Sequence, residues 1–269
     1  MMYILNINGQ EVEAKVDKSL LSFLREDLNI TSAKDGCSEG VCGTCTVLVD
    51  GKVIKACVQK VSKFVGKKVM TVEGLSDREM EVYEHCFAET GAVQCGFCIP
   101  GMVICAKALI DTNKKPSPKD VKKAIKGNIC RCTGYKKIEE AILMATSFFR
   151  NNEAIPQKSD KLCMNSRFKR FDASEKINGK GIFVDDMKLT GMVYARAVRT
   201  KYPRAIINKI KIDKALKHPD CVKILLHKDV PNNLIGHVKT DWEVMIAEGA
   251  TTRYIGDSLA LIASKNKDT

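Results

Sequence analysis

Eight of the twelve cysteines fall into two tight sets, and these constrain the chain more than any other feature. Cys37, Cys42 and Cys45 follow the pattern Cys-x4-Cys-x2-Cys, with Cys57 twelve residues beyond the last. Cys95 and Cys98 form a Cys-x-x-Cys pair, and Cys130 and Cys132 a Cys-x-Cys pair. A secreted disulfide scaffold would be short, loop-rich and led by a signal segment. The opening "MMYILNINGQ" has no basic stretch followed by an apolar one, so a cytoplasmic location is expected and the thiols are read as metal or redox ligands. No apolar run approaches the roughly 18–20 residues that cross a bilayer, so no membrane span is expected. Cys86, Cys105, Cys163 and Cys221 lie outside both sets and read as small buried apolar residues.

The first set sits in "KDGCSEGVCGTC", and its spacing is the plant-type one for a [2Fe–2S] cluster. A short loop must wrap a compact cluster and turn three sulfurs inward. Gly36, Gly40 and Gly43 permit that close approach and let amide N–H groups point at sulfur. The flanking sequence reads as an α+β domain over residues 1–75. "YILNING" and "EVEAKV" are strands around an Asn8-Gly9 turn, and "KSLLSFLREDL" is a short helix burying Leu20, Leu21, Phe23, Leu24 and Leu28. "TVLVD" and "KVIKAC" pair across Asp50-Gly51, and "KVMTVEGL" is a further strand. A two-residue turn there sets Cys45 opposite Ala56, so Cys57 falls beside the loop as the fourth ligand. A zinc knuckle is the competing reading, but zinc prefers Cys-x2–4-Cys pairs in a tetrahedron and has no use for three interleaved glycines.

Residues 76–150 change to a helical period and predict a four-helix bundle. Ser76 with Glu79 makes a capping box for "DREMEVYEHCFAET", Pro100 opens "PGMVICAKALID", and Ser117-Pro118 starts "KDVKKAIKG". "KKIEEAILMATSFFR" places Ile138, Ala141, Ile142, Ala145 and Phe149 at core spacing. Cys95 and Cys98 precede the second helix, and Cys130 and Cys132 the fourth. Helix starts favour a negatively charged group, which suits a second [2Fe–2S] cluster, although this set alone fits zinc too. Residues 151–165 are polar, aperiodic and proline-containing, and read as a linker. In residues 166–269, "MVYARAVRT", "AIINKIKI", "CVKILLH" and "SLALIAS" are strand candidates and "DKALKHP" a short helix. Net charge is +12, but lysines are scattered and aromatics are only 6%, without basic runs interleaved with stacking residues. No nucleic-acid partner is expected. Asp185 and Asp186 read as turn residues and the four histidines as structural. No phosphate-loop, dinucleotide or nucleophile-elbow motif is present.

The strings "GCSEGVCGTCTVLVDGK", "QCGFCIPGM" and "NICRCTGY" resemble the iron–sulfur module of the molybdenum hydroxylase (xanthine dehydrogenase and aldehyde oxidase) family, over residues 2–150. The resemblance implies a β-grasp ferredoxin-like domain and a helical bundle, each with one [2Fe–2S] cluster. All eight cysteines fall on the family's ligand positions. Gln94 matches the family's pterin-contacting glutamine, and Cys132 the ligand nearest the pterin. Ile99-Pro100 departs from the family's frequent Thr-Pro, with no functional loss expected. "RFDASEKINGKGIFVDDMKLTGMVYARAVRT" and "TRYIGDSLALIAS" resemble the α/β hammerhead domain that opens the family's molybdenum-binding part. This order, without an FAD domain between, is similar to that of bacterial aldehyde oxidoreductases and of selenium-dependent xanthine dehydrogenases; "REDLNITSAKDGCSEGVCGTC" and "GAVQCGFCIPGM" look more like the latter.

The resemblance therefore implies an oxidoreductase component that passes electrons from a molybdopterin centre, with or without selenium, through both clusters to FAD. The whole enzyme would hydroxylate a purine or another heterocycle. An aldehyde oxidoreductase component and an iron–sulfur sensor or adaptor are the alternatives. No catalytic residue is assigned to this chain. Molybdopterin and FAD are expected on partner subunits of a higher-order hetero-oligomer, since the polar end "SKNKDT" reads as a natural terminus. The helical-domain cluster should face the pterin, with Cys42 and Cys45 towards flavin and partly near solvent.

Overall fold

Asn8-Gly9 and Asp50-Gly51 both adopt left-handed backbone, with φ of 51°, 85°, 45° and 78° in turn, as a two-residue hairpin turn requires. The first closes β1 (Tyr3–Ile7) onto β2 (Gln10–Ala14), and the second closes β3 (Thr46–Val49) onto β4 (Lys52–Lys55). With β5 (Lys68–Met70) they form one sheet in the order β2-β1-β5-β3-β4, in which β1 and β5 run parallel. The computed structural model describes residues 2–156 and 169–267. Leu20, Leu21, Phe23 and Leu24 bury against the sheet from a helical turn, α1 (Leu20–Ser22), and the π-turn Phe23–Asp27 that continues it. The N–H of Leu28 reaches back five residues to the Phe23 carbonyl, and the wider turn leaves Leu28 half-buried.

The helical segment follows its caps. Ser76 and Glu79 form the capping box of α2 (Asp77–Glu89), and Ser117 caps α4 (Pro118–Ile125) reciprocally with Asp120. α3 (Ile99–Thr112) has Cys98 at its N-cap and is apolar nearly all round, as the central helix of a small bundle must be. α5 (Lys136–Asn151) buries Ile138, Ala141, Ile142 and Ala145 completely. One core runs through these helices and takes in Leu48 and Val72 from the sheet domain.

The chain forms two compact units, the first running through Asp186 and the second beginning at Met187. Residues 169–186, expected at the head of the third domain, therefore pack with the first. Ala173 and Ile177 of α6 (Ala173–Ile177) sit 2% and 0% exposed in the helical core, which explains their attachment. The expected linker lies outside the described residues from position 157 onward, as does Cys163.

In the second unit, β6 (Tyr194–Arg199), β10 (Ser258–Ser264) and β7 (Cys221–Leu225) form an antiparallel sheet in the order β6-β10-β7, with α7 (Asp213–Leu216) preceding β7. The segment "AIINKIKI" is not the strand its alternation suggests. Its first residues pair antiparallel with residues 249–252, through Ile207 N–H to the Ala250 carbonyl at 2.9 Å, Gly249 N–H to the Ile207 carbonyl at 2.8 Å and Thr252 N–H to the Ala205 carbonyl at 2.9 Å, but the N–H of Ile210 goes to the Glu248 carboxylate. A two-stranded ribbon, β8 (Leu234–Ile235) with β9 (Trp242–Glu243), was not legible; each strand has two residues, too short for any period.

Candidate metal centres

The hairpin register sets Thr46 opposite Lys55, and the N–H of Ala56 donates to the Cys45 carbonyl at 3.1 Å. Cys57 is thus carried to the base of the 37–45 loop, where its thiol meets that of Cys45. At the other end, Cys37 and Cys42 are neighbours, and Cys42 also faces Cys45. The N–H groups of Glu39 and Cys42 each lie 3.4 Å from Cys37 Sγ. Those amides, Cys42 first, hold the Cys37 thiol down at about 7, a site built to stabilise negative sulfur. Burial instead pushes Cys45 up to about 12. Gly36 leaves room for this, because a Cβ there would stand 3.0 Å from Cys42 Sγ and 2.9 Å from Thr44 Oγ1.

The helical set is gathered in the same manner. Cys95 is against Cys132, and Cys98 is against Cys130, with Cys95 and Cys130 close enough to interact. Burial pushes the thiols of Cys95 and Cys98 up. For Cys130 burial also acts upward, but the Thr133 hydroxyl at 3.1 Å and the N–H groups of Thr133 and Cys132 outweigh it and bring the thiol down. The Tyr135 hydroxyl accepts from the Cys130 N–H at 2.9 Å and fixes the loop. Tyr135 itself adopts φ 69° to begin α5.

Each quartet is arranged as two thiol pairs. Among the described residues, no three or more His, Cys, Asp or Glu side chains converge as a single ion would need. Two pairs of thiolates are what the two irons of a [2Fe–2S] cluster require, so the donor sets fit such a cluster in chemistry and number. Gln94, Cys95 and Cys132 are exposed at one edge, while Cys98 is buried. Of Cys42 and Cys45, expected partly near solvent, Cys42 is half-buried like Cys37, and it is Cys45 that needs correcting. Cys45 is 2% exposed beneath the hairpin, and the accessible rim carries Cys37 with Val41 and Val58 at 56% and 49% exposure.

Sequence reasoning missed how the two loops are joined. The N–H of Ile129 donates to the Cys42 carbonyl at 2.8 Å, one residue before Cys130. Asn128, 3% exposed, donates to the Gly43 carbonyl at 2.9 Å and accepts from the Cys105 thiol at 3.1 Å. Gly43, at φ +73°, is forced by this approach: a Cβ would stand 2.3 Å from the Gly127 carbonyl oxygen. A polar side chain two residues before a cysteine was the only sequence signal of this junction. Asp186 was also underread. It holds its turn through the Phe183 N–H at 3.0 Å, yet it pairs with buried Lys34 at 2.6 Å and with Arg25 at 2.7 Å.

Two iron–sulfur domains on one scaffold, followed by a mixed sheet unit, define an iron–sulfur redox protein by class. Residues 7–84 match the 2Fe-2S iron-sulfur cluster binding domain, 71–143 the [2Fe-2S] binding domain, and 178–269 the aldehyde oxidase and xanthine dehydrogenase a/b hammerhead domain. The nicotinate dehydrogenase small FeS subunit of Eubacterium barkeri is 44% identical over 144 residues, covering 52% of this chain and 92% of that one. The aldehyde oxidoreductase of Megalodesulfovibrio gigas is 32% identical over 286 residues, 98% of this chain and 32% of that one. The solved structure of the aldehyde oxidoreductase from Desulfovibrio gigas superposes with a TM-score of 0.89 at 30% identity, over 100% of this chain and 32% of that chain. The chain belongs to the xanthine dehydrogenase/aldehyde oxidase family of oxidoreductases. It spans about a third of the aldehyde oxidoreductase chains it matches, 32% in each case. Among the described residues, no helix is long and apolar enough to cross a membrane.

Proposed function

We propose that this chain is the electron-transfer component of a molybdenum hydroxylase. Cys37, Cys42, Cys45 and Cys57 hold one [2Fe–2S] cluster in a domain of residues 1–75. Cys95, Cys98, Cys130 and Cys132 hold the other in residues 76–150. When bound, two such clusters supply one-electron steps, so that an electron pair released by hydroxylation can leave singly. The observation that carries this reading is the hydrogen bond from the Ile129 N–H to the Cys42 carbonyl at 2.8 Å. It joins a ligand of one set to the residue preceding a ligand of the other, leaving a short path of covalent bonds and one hydrogen bond. The exposed edge of Gln94 and Cys132 supports a molybdopterin-binding subunit on that side. The rim of Cys37, Val41 and Val58 supports an FAD-binding subunit on the other, in a higher-order hetero-oligomer in the cytoplasm. Purine or related heterocycle hydroxylation is the favoured chemistry, with selenium at the molybdenum centre as in the xanthine dehydrogenases that the cysteine loops resemble. An aldehyde substrate is the second reading, favoured by the match to an aldehyde oxidoreductase over 98% of this chain.

The test is compositional and spectroscopic. The purified chain should carry about four irons and four sulfides and give two distinct reduced-state EPR signals. Cys42→Ser should remove one signal and leave the helical-domain signal. Zinc in place of iron, or one cluster type only, defeats the reading. The native complex, purified and offered xanthine and an aldehyde, separates the two substrate classes.

A further inference from the structure

Residues 169–186 lie across the first unit as a strap, and two of their side chains, Lys176 and Phe183, reach the Cys95-Gly96-Phe97-Cys98 loop. The aliphatic stem of Lys176 covers Gly96 so closely that a Cβ there would meet its Cβ, Cγ and Cδ at 2.6–2.7 Å. Gly96 takes φ +88° and is buried although Cys95 beside it is exposed. Phe183 meets Phe97 edge-on, with ring centroids 5.2 Å apart and planes at 90°. The strap is pinned at its far end by Asp186 on Lys34 and Arg25, and at its near end by Lys169 on Glu89 at 3.0 Å. Gly179 packs on Ser32, where a Cβ would stand 2.4 Å from the serine Cβ.

Within the strap, Arg170 and Lys176 share one carboxylate. Asp172 accepts from Lys176 Nζ at 2.8 Å and from Arg170, whose Nη2 lies 3.0 Å away. The Arg170 guanidinium also feels Cys95, after its stronger bond to Asp172. Lys176 is only 16% exposed at its side chain, so its charge is less screened than a surface lysine's. A reduced cluster carries one more negative charge than an oxidised one. A partly desolvated cation beside its loop therefore favours reduction, and the carboxylate opposes it.

We propose that the strap sets the reduction potential of the helical-domain cluster, with Lys176 raising it and Asp172 holding that rise in check. Lys176 is a positioning residue here, acting on the cluster through the Gly96 turn and by its charge. The assignment rests on the four cysteines holding a cluster.

The test is an EPR-monitored potentiometric titration of the full chain with its clusters, comparing wild type with Lys176→Met, Lys176→Arg and Asp172→Asn. Lys176→Met keeps the stem over Gly96 and removes only the charge. It should lower the one-electron equilibrium constant of the helical-domain cluster about tenfold, ~59 mV. Asp172→Asn should move the same signal in the opposite direction, and Lys176→Arg should stay within about twofold of wild type. The ferredoxin-domain signal serves as the internal reference and should not move. If both signals are present and Lys176→Met and Asp172→Asn shift the potential in the same direction, or neither shifts it beyond about twofold, the strap proposal is wrong while the cluster reading stands. A helical domain without iron would remove the cluster reading and this proposal with it.

Discussion

Replacing Asn128 with alanine tests how much one buried side chain adds to the junction of the two iron–sulfur domains. Its Nδ2 donates to the Gly43 carbonyl at 2.9 Å and lies 3.4 Å from Thr46 Oγ1, and its Oδ1 accepts from the Cys105 thiol at 3.1 Å. The Gly43 carbonyl also receives the Thr46 N–H at 3.2 Å and hydroxyl at 2.6 Å, so truncation does not orphan it. The loss is then one well-made buried hydrogen bond, a weak thiol contact and a small cavity, about 2–3 kcal/mol together. For a cooperative unit of this size each kcal/mol moves Tm by about 2–4 °C, which gives a fall of roughly 4–12 °C. Tm is read at one scan rate by visible circular dichroism of the clusters, since iron–sulfur proteins unfold irreversibly once the cluster is lost. Asn128→Asp supplies a sharper contrast, because a carboxylate at this position faces the Gly43 carbonyl with no proton to donate. It should be less stable than the alanine variant. A Tm within about 1 °C of wild type for Asn128→Ala, or an aspartate variant more stable than it, refutes the argument.

Gly43→Ala should be costlier still, about 3 kcal/mol or more, since a left-handed φ is strained for alanine and the new methyl meets the Gly127 backbone; the magnetic coupling between the clusters should weaken in EPR of the reduced chain. Asp186→Asn should cost about 3–5 kcal/mol near neutral pH, because it leaves the ammonium of Lys34, whose side chain is 1% exposed, without its counter-charge. Burial alone would raise the Asp186 carboxyl, but Lys34 and then Arg25 bring it below the usual carboxylate range. The folded state therefore holds that proton less tightly than the unfolded chain. The stability it contributes is present above the ordinary carboxylate value of 3.8 and is lost as pH falls through the lower folded value, so the Tm gap between wild type and Asp186→Asn should close on that acid limb. Cys86→Ala should keep both EPR signals and lose only about 1 kcal/mol, since Cys86 is fully buried with its thiol pushed up to about 12 and belongs to neither set.

Much of the fold could be read directly because it is built from local rules. The two Asn-Gly and Asp-Gly turns, the Ser76 capping box and the Pro118 start each depend on residues within four positions, and each appears where the sequence places it. The cysteine spacing is equally local for the 37–45 loop. Cys57 required one further step, the hairpin register, and the two-residue Asp50-Gly51 turn supplied it. The strand expected at "AIINKIKI" is cut short because its pairing with residues 249–252 involves Ala205 to Ile207, and by Ile210 the backbone N–H has turned to the Glu248 carboxylate. Ile206 is 64% exposed and bridges Thr251.

The junctions were hidden for a different reason. Asn128 and Gly43 are 85 residues apart, and Arg25 and Asp186 are 161 apart. Each pair is ordinary when viewed alone: an asparagine after a helix stop, a glycine in a loop, an aspartate in a turn. What makes them specific is burial of a polar group, which is tolerable only when a partner arrives from elsewhere. Lys34 shows the logic most clearly. Its side chain is 1% exposed, it lies 4.7 Å from the Phe183 ring centroid, and it is bonded to Asp186. A lysine three residues before a cysteine loop gives no warning of such burial. Once buried, however, it requires an anion and thereby dictates where residues 183–186 must lie. The strap that covers the Cys95–Cys98 loop is held by that requirement at one end and by two apolar side chains of a five-residue helix at the other. A segment anchored in this way needs no periodicity of its own, and so no pattern search along the sequence would have found it.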